Sequence, residues 1–161
     1  MKLSQNLIDI INKQINAEQY SAQFYLAMAL DMEDKNLPGI AQWFHKQATE
    51  EQAHAQDMIH YLQSRGVRPT LQGIHEVQTG FSSALEAFES GLSHEQSVTA
   101  MIHNIVKLTL EEADYGAENF FRKYITEQEE EEANFSAIVE MVRQAGEKHI
   151  FIIDERLGAR A

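Results

Sequence analysis

Residues 44–61 read FHKQATEEQAHAQDMIHY. At helical spacing one face of this stretch carries Phe44, Gln47, Glu51, His54, Met58 and Tyr61, so apolar residues at both ends bracket a carboxylate and an imidazole where a core stripe should be apolar throughout. Glu51 and His54 stand three positions apart, on one helix face, and can grip a single ion from one helix. Acid in the middle of the buried stripe of a long helix recurs along the chain.

Upstream, the stripe runs Ile8, Ile11, Ile15, Glu18, Ala22, Tyr25, Ala29 and Met32. Downstream, Phe88, Leu92, Glu95, Thr99, Ile102 and Val106 make a third stripe, and Phe121, Tyr124, Gln128, Glu131, Phe135, Ile138 and Val142 a fourth. Interruptions at Pro38 and Gly39, from Gly66 through Pro69 to Gly80, at Gly116 and at Gly146 divide the chain. The predicted helices are 4–35, 39–65, 84–112 and 117–145, with a short tail helix at 149–157. No segment alternates as a strand would, so the fold class is all-α. Helices of this length, about 40 to 48 Å at 1.5 Å per residue, suit a bundle. The first and third breaks are short and make antiparallel hairpins, whereas residues 66–83 are long enough to cross the bundle end to end. The expectation is a four-helix bundle of two hairpins joined by a crossover, as one domain over 1–161.

An uncompensated buried carboxylate costs several kcal/mol even after relaxation. Four in one core require cations, and no lysine or arginine neighbours them on the stripes. Spacing adds an independent argument: Glu51 follows Glu18 by 33 residues and Gln128 follows Glu95 by 33 residues, each second member being followed three positions on by His54 or Glu131. The hairpins are therefore pseudo-repeats. In the di-iron bundle pattern, a Glu from each of two helices joins a Glu-x-x-His from each of the other two; here the first half is intact and the second reads Gln128-x-x-Glu131. Oxygen-rich ligands with one imidazole favour Fe(II) or Mn(II) over structural zinc. Glu51 can bridge two ions, Glu18 and His54 complete one site, and Glu95 with weaker help from Gln128 or Glu131 completes the other. A peroxide- or oxygen-detoxifying di-metal enzyme, and a bundle that buffers Ca²⁺ or Mg²⁺ without redox, are the competing classes; His54 argues against the second because hard cations prefer oxygen.

The composition agrees. With 161 residues, 43% of them hydrophobic, the chain can build a real core, and with no cysteine it has no disulfide, zinc ribbon or iron–sulfur cluster. Twenty-five acidic against 13 basic side chains give a net charge of −12, which repels nucleic acid and anionic lipid and attracts cations. No apolar run reaches the roughly 20 residues of a membrane span, and Met1 to Gln14 lacks a secretory pattern. The expected location is the cytoplasm, with no nucleic-acid or membrane partner.

Along essentially its whole length the sequence resembles the ferritins. The resemblance rests on Asn16-Ala17-Glu18-Gln19-Tyr20 with Tyr25, on Ala48-Thr49-Glu50-Glu51-Gln52-Ala53-His54, on His94-Glu95-Gln96, and on Tyr124-Ile125-Thr126-Glu127-Gln128-Glu129-Glu130-Glu131-Glu132. It implies oxidation of Fe(II) by dioxygen or hydrogen peroxide at an intrasubunit di-iron centre. Glu18, Glu51 and His54 would form the first iron site, and Glu51 and Glu95, with Gln128 or Glu131 nearby, the second. It further implies a third iron site from Glu50, Glu127, Glu130 and Glu131, a redox or hydrogen-bonding role for Tyr25 near the first iron, and storage of a ferric mineral in a homo-oligomeric, 24-subunit shell. Gln52 stands where a bacterioferritin has its haem-ligating methionine, and the second Glu-x-x-His is missing, so the resemblance is to bacterial non-haem members, with iron and no haem. The tail helix and the lack of cysteine set the chain apart from miniferritins and rubrerythrins. The reductant for iron release is not legible.

The chain departs from many bacterial relatives in having Phe121-Arg122-Lys123-Tyr124 where they carry a tryptophan; its single tryptophan, Trp43, reads as packing. Glu129 and Glu132 read as solvated and Glu131 as buried. His45, His60, His75, His94, His103 and His149 read as surface, supporting or interface residues. The apolar tail Ile150-Phe151-Ile152-Ile153 with Leu157 either folds back on its own bundle or, as in ferritins, meets symmetry mates on a fourfold axis through Ile150, Ile153 and Leu157. By the same resemblance Glu118 maps to a pore-lining acid, although Phe121 replaces a second acid one turn on.

Overall fold

A computed structural model describes residues 2–159. It contains α1 (Gln5–Asp34), α2 (Pro38–Ser64), α3 (Ala84–Glu111), α4 (Tyr115–Ala145), a 3₁₀ turn (Glu147–His149) and α5 (Ile150–Gly158). The described residues include no strand, and no helix among them is long and apolar enough to cross a membrane.

Local chemistry sets the helix ends. Ser4, Ser83 and Asp114 occupy N-caps, and their side-chain oxygens accept from Leu7 N, Glu86 N and Ala117 N at 3.1, 3.2 and 2.9 Å. α2 has no cap of its own; it begins with Pro38, and Asp154 of α5 accepts from Ile40 N at 2.8 Å. The turns differ from the glycine and proline reading. Left-handed backbone falls on Asn36 (φ 58°) and Ala113 (φ 54°), while Gly39 and Gly116 lie inside the first turns of α2 and α4. Their missing side chains serve close approach instead. A Cβ on Gly39 would stand 1.9 Å from the Asp154 carbonyl oxygen, and one on Gly116 would stand 3.3 Å from Arg65 Nη1.

Short turns make α1/α2 and α3/α4 antiparallel hairpins. Residues 65–83 then run the length of α1. Asn12 Oδ1 accepts from Thr70 N, Asn16 donates to the Gly73 carbonyl, and Phe81 meets Phe24 near the far end. Two apolar clusters fill the bundle. One gathers Leu7, Ile11, Ile15, Met58, Leu62, Ile102, Ile105 and Phe121. The other gathers Tyr25, Met28, Met32, Ile40, Phe44, Phe88 and Phe135, and is closed by Ile153 and Leu157. Each such buried side chain contributes about 1.5–3 kcal/mol, which offsets what lies between: Gln14, Glu18, Gln47, Glu51, Glu95, Gln128 and Glu131, all buried.

The stripes are rotated slightly from the expected register. Ile8, Tyr61, Leu92 and Val106 are half-buried, and Leu7, Gly91, Val98 and Ile105 take core places, because a bundle helix buries an arc wider than one row. The tail takes the first of its two expected courses and folds back on its own bundle. Ile153 and Leu157 are buried against their own bundle, whereas Phe151 and Ile152 are each 64% exposed. Docking of Gly39 against α5 turns the former pair inward.

Candidate metal centre

The polar layer takes one residue or pair from each long helix: Glu18 from α1, Glu51 and His54 from α2, Glu95 from α3, and Gln128 and Glu131 from α4. Glu18, Glu51 and His54 converge, with one ligand atom from each lying within 4.8 Å of the others. His54 Nδ1 lies 3.2 Å from Glu51 Oε2 and 3.8 Å from Glu18 Oε2. Gln14 donates to Glu18 Oε1 at 2.7 Å, which fixes the carboxylate and leaves its buried Oε2 without a hydrogen-bond partner. Such an oxygen is costly unless a cation or donor meets it, and a ligand set of two carboxylates and one imidazole suits Fe(II).

The electrostatics of the three groups are linked. Burial alone would lower His54, yet the neighbouring carboxylates of Glu18 and Glu51 raise it to about 11. Burial alone would raise Glu18, but His54 and Glu51 outweigh it and the pKa falls below its ordinary value. Glu51 moves the other way: burial, with the charges of Glu18 and Glu95, pushes it well up despite its bond to His54. The imidazolium proton therefore neutralises the site where a divalent ion would do so, and metal must displace it.

Glu95 and Glu131 stand outside that triad. Tyr25, wholly buried, donates its hydroxyl to Glu95 Oε1, and Gln128 donates to Glu95 Oε2 at 2.9 Å. Burial first, then the charges of Glu131 and Glu18, raise Glu95 to about 7 against these bonds. Glu131 Oε2 accepts from Gln47 at 2.9 Å. Tyr25, expected near the first iron, thus has its hydroxyl on the second hairpin's carboxylate; two turns of helix carry it past Glu18. Burial, followed by the charges of Glu95 and Glu51, holds its phenol protonated.

Of the outer acids, Glu127 reaches His54 Nε2 at 3.2 Å, so both imidazole nitrogens face carboxylate. Glu50 is half-buried and Glu130 exposed; neither belongs to the triad. Glu132 is half-buried and Glu129 exposed. His94 is packed against Tyr20, Phe24 and Tyr25, with Nε2 2.7 Å from Ser21 Oγ. His45 pairs with Glu33 and His60 with Gln56.

The sequence reading missed Gln14, although it precedes Glu18 by one helical turn, and gave Gln47 no task. It also missed the Tyr124 hydroxyl donating to Asp57 at 2.6 Å, beside Lys123 at 2.5 Å. Two apolar features lie on the surface. A groove of about 870 Å³ lies between α1 and α2, walled in part by Leu26, Leu30 and Ile74, and Phe151 and Ile152 project from α5.

Comparison with known proteins gives one answer. The family model described as ferritin-like domain matches residues 8–145. A bacterial non-heme ferritin of Bacteroides fragilis is 37% identical over 158 residues, 98% of this chain and 99% of that one. One from Staphylococcus saprophyticus is 34% identical over 161 residues, 99% of this chain and 96% of that one. A solved open pore ferritin from the hyperthermophilic archaeon Archaeoglobus fulgidus superposes with a TM-score of 0.97 at 37% identity, covering 99% of this chain and 100% of that one. The four-helix architecture, the buried Glu18/Glu51/His54 cluster and these relatives agree, and the chain belongs to the ferritin family, among the bacterial non-haem ferritins.

Proposed function

We infer that this protein is an iron-storage ferroxidase. It takes up Fe(II) as substrate at an intrasubunit di-iron centre, oxidises it with dioxygen or hydrogen peroxide, and keeps the product as a ferric oxyhydroxide mineral. The observation that carries the reading is the buried triad of Glu18, Glu51 and His54, one of whose carboxylate oxygens accepts no hydrogen bond at mid-bundle. Carboxylates enclosed in a low-dielectric core favour the more highly charged Fe(III), and so draw an electron from each Fe(II) toward the oxidant. Glu51 bridges to a second ion held by Glu95, with Gln128 or Glu131 beside it; Tyr25 holds Glu95 in place. Glu50, Glu127, Glu130 and Glu131 form a third iron site on the side of His54 that Glu127 already faces. His54 and Glu51 release protons as metal enters.

Storage needs a closed container, and closed symmetry is the usual form of soluble homo-oligomers. We assign the α1/α2 groove to one subunit contact and Phe151 with Ile152 to another. Exposed apolar patches of this kind mark interfaces. A shell of 24 chains of 18.4 kDa has a mass of roughly 440 kDa.

The test adds Fe(II) aerobically to metal-free protein sized by light scattering. Hundreds of irons per assembly should stay soluble. Rapid oxidation followed by precipitation would leave a di-iron oxidase without storage, and no rapid oxidation would remove the ferroxidase reading. Replacing Phe151 and Ile152 with Asp should yield smaller helical species that still oxidise Fe(II) but store little. An unchanged particle would show that α5 makes no such contact.

A further inference from the structure

Trp43 lies within an aromatic network that ends at the metal centre. Tyr25, which donates to Glu95, stacks on Phe44 at 6.2 Å between ring centroids and on Phe135 at 5.6 Å. Both rings meet the Trp43 indole edge to face, at 5.4 and 5.1 Å. These are contact separations for aromatic pairs, so two parallel routes of one intervening ring each join phenol to indole. Trp43 in turn lines a cavity of about 290 Å³ with Asn134, Ala137, Ile138 and Met141, between α2 and α4. Tyr25 is 0% exposed, so no reductant reaches it directly.

We propose that Trp43 is a redox relay that discharges Tyr25, passing an electron inward through Phe44 or Phe135 and recovering it at the α2/α4 cavity. The relay rests on the ferroxidase reading. It acts when a single Fe(II) meets hydrogen peroxide: one electron from iron breaks the O–O bond, giving Fe(III), hydroxide and a hydroxyl radical. Tyr25 gives that radical its phenolic hydrogen atom, forming water and a phenoxyl radical. An electron from the indole then reduces the phenoxyl, which takes up a proton and is again a phenol. Trp43 loses its N–H proton and becomes a neutral indolyl radical. A one-electron reductant of the ascorbate class, arriving in the cavity, returns a hydrogen atom to it. Phenylalanine is too hard to oxidise to hold the charge, which leaves the indole as the resting place, away from the carboxylates.

The assembled protein, loaded anaerobically with Fe(II), is mixed with hydrogen peroxide, freeze-quenched and examined by electron paramagnetic resonance. Because the chain has one tryptophan, a signal that narrows when tryptophan is supplied with a deuterated indole belongs to Trp43. The expected result is such a signal in the wild type, its loss in Tyr25→Phe, and a several-fold larger tyrosyl signal in Trp43→Phe. Ascorbate should quench the wild-type radical faster than the tyrosyl radical of Trp43→Phe. A wild-type signal indifferent to indole deuteration and unchanged in Trp43→Phe overturns the relay, as does one that survives Tyr25→Phe and vanishes in Tyr124→Phe. Iron oxidation is read in the same samples. Oxidation without a Trp43 signal defeats the relay alone, and absence of oxidation defeats the ferroxidase reading and the relay with it.

Discussion

The two hairpins place like residues at like positions and yet give them different tasks. In the first, Glu51 is flanked seven residues away on each side by Phe44 and Met58; in the second, Gln128 is flanked by Phe121 and Phe135 at the same distances. The apolar frame is thus repeated, and the polar residues inside it diverge. The first hairpin turns Glu18, Glu51 and His54 toward one point, leaving a carboxylate oxygen unmet. The acids of the second are met by hydrogen bonds, mostly from the first: Tyr25 of α1 joins Gln128 in donating to Glu95, and Gln47 of α2 donates to Glu131. A neutral amide in place of a second bridging acid lowers the repulsion in a layer that already holds four glutamates. The difference teaches that a pseudo-twofold bundle can gather a ligand cluster in one half and a hydrogen-bonded polar group in the other without changing its backbone.

The largest effect should come from breaking the tight half. Loss of an outer partner of a metal ligand typically costs about 10–100-fold, so removing a ligand itself by His54→Ala or Glu51→Ala should slow the fast phase of Fe(II) oxidation by more than about a hundredfold. Stopped-flow absorbance checks this, and a wild-type rate in either variant would remove the assignment of that residue. The metal-free double variant Glu51→Ala with His54→Ala should be no less stable than wild type, because buried charge is relieved when both partners leave together.

The second prediction makes the halves alike. The double substitution Gln128→Glu with Glu131→His creates a second Glu-x-x-His. Anaerobic Co(II) titration should change from one strong and one weak step to two steps whose affinities differ by less than about tenfold, each such factor being 1.4 kcal/mol. Two steps as unequal as in the wild type would mean that Tyr25 and Gln47, not Gln128 and Glu131, set the weak position.

The third concerns pH. Glu95 is raised from 4.5 to about 7 and His54 from 6.5 to about 11. A raised folded pKa means that the folded state holds the proton more tightly. The contribution is full below the unfolded value and disappears as pH climbs through the folded one. Glu18, being lowered, acts oppositely in the acid range below its ordinary 4.5, and it shares with His54 one attraction that is counted once. Metal-free protein should therefore lose on the order of a few kcal/mol between pH 4.5 and about 7, through Glu95 and also through Glu51, whose pKa is raised as well, and more toward about 11 through His54. Denaturant titrations with chelator present measure it. Protein with the site filled should show the reverse trend, since metal affinity rises as these protons leave. Metal-free stability that rises steadily over this window would contradict the charge states described.

The smallest effect belongs to Gln14. Gln14→Leu frees Glu18 to rotate and should weaken the first metal position by about tenfold while leaving the Glu95 half unchanged. Equal weakening of both steps in the Co(II) titration would show that Gln14 supports the whole layer and not Glu18 alone.

What the sequence determined by itself is whatever depends on period and spacing. Four long amphipathic stripes, two short turns and one long connection required hairpins joined by a crossover, and acids at the midpoint of each stripe located the metal layer. Glu51 and His54, one turn apart on one helix, were legible as a pair because helical geometry alone brings them together. Tertiary structure decided the rest. Which of Glu18, Glu95 and Glu131 would join that pair depends on side-chain donors from other helices. Gln47 reaches Glu131 across 84 positions of sequence and Tyr25 reaches Glu95 across 70, and no local pattern encodes such a distance. The same holds for Trp43, which reads as packing in the sequence and which only the meeting of α1, α2 and α4 joins, through Phe44 and Phe135, to Tyr25. It holds too for α5, whose apolar residues look interchangeable in sequence. Contact with Gly39, and Asp154 capping a helix more than a hundred residues upstream, turn Ile153 and Leu157 inward and leave Phe151 and Ile152 facing out.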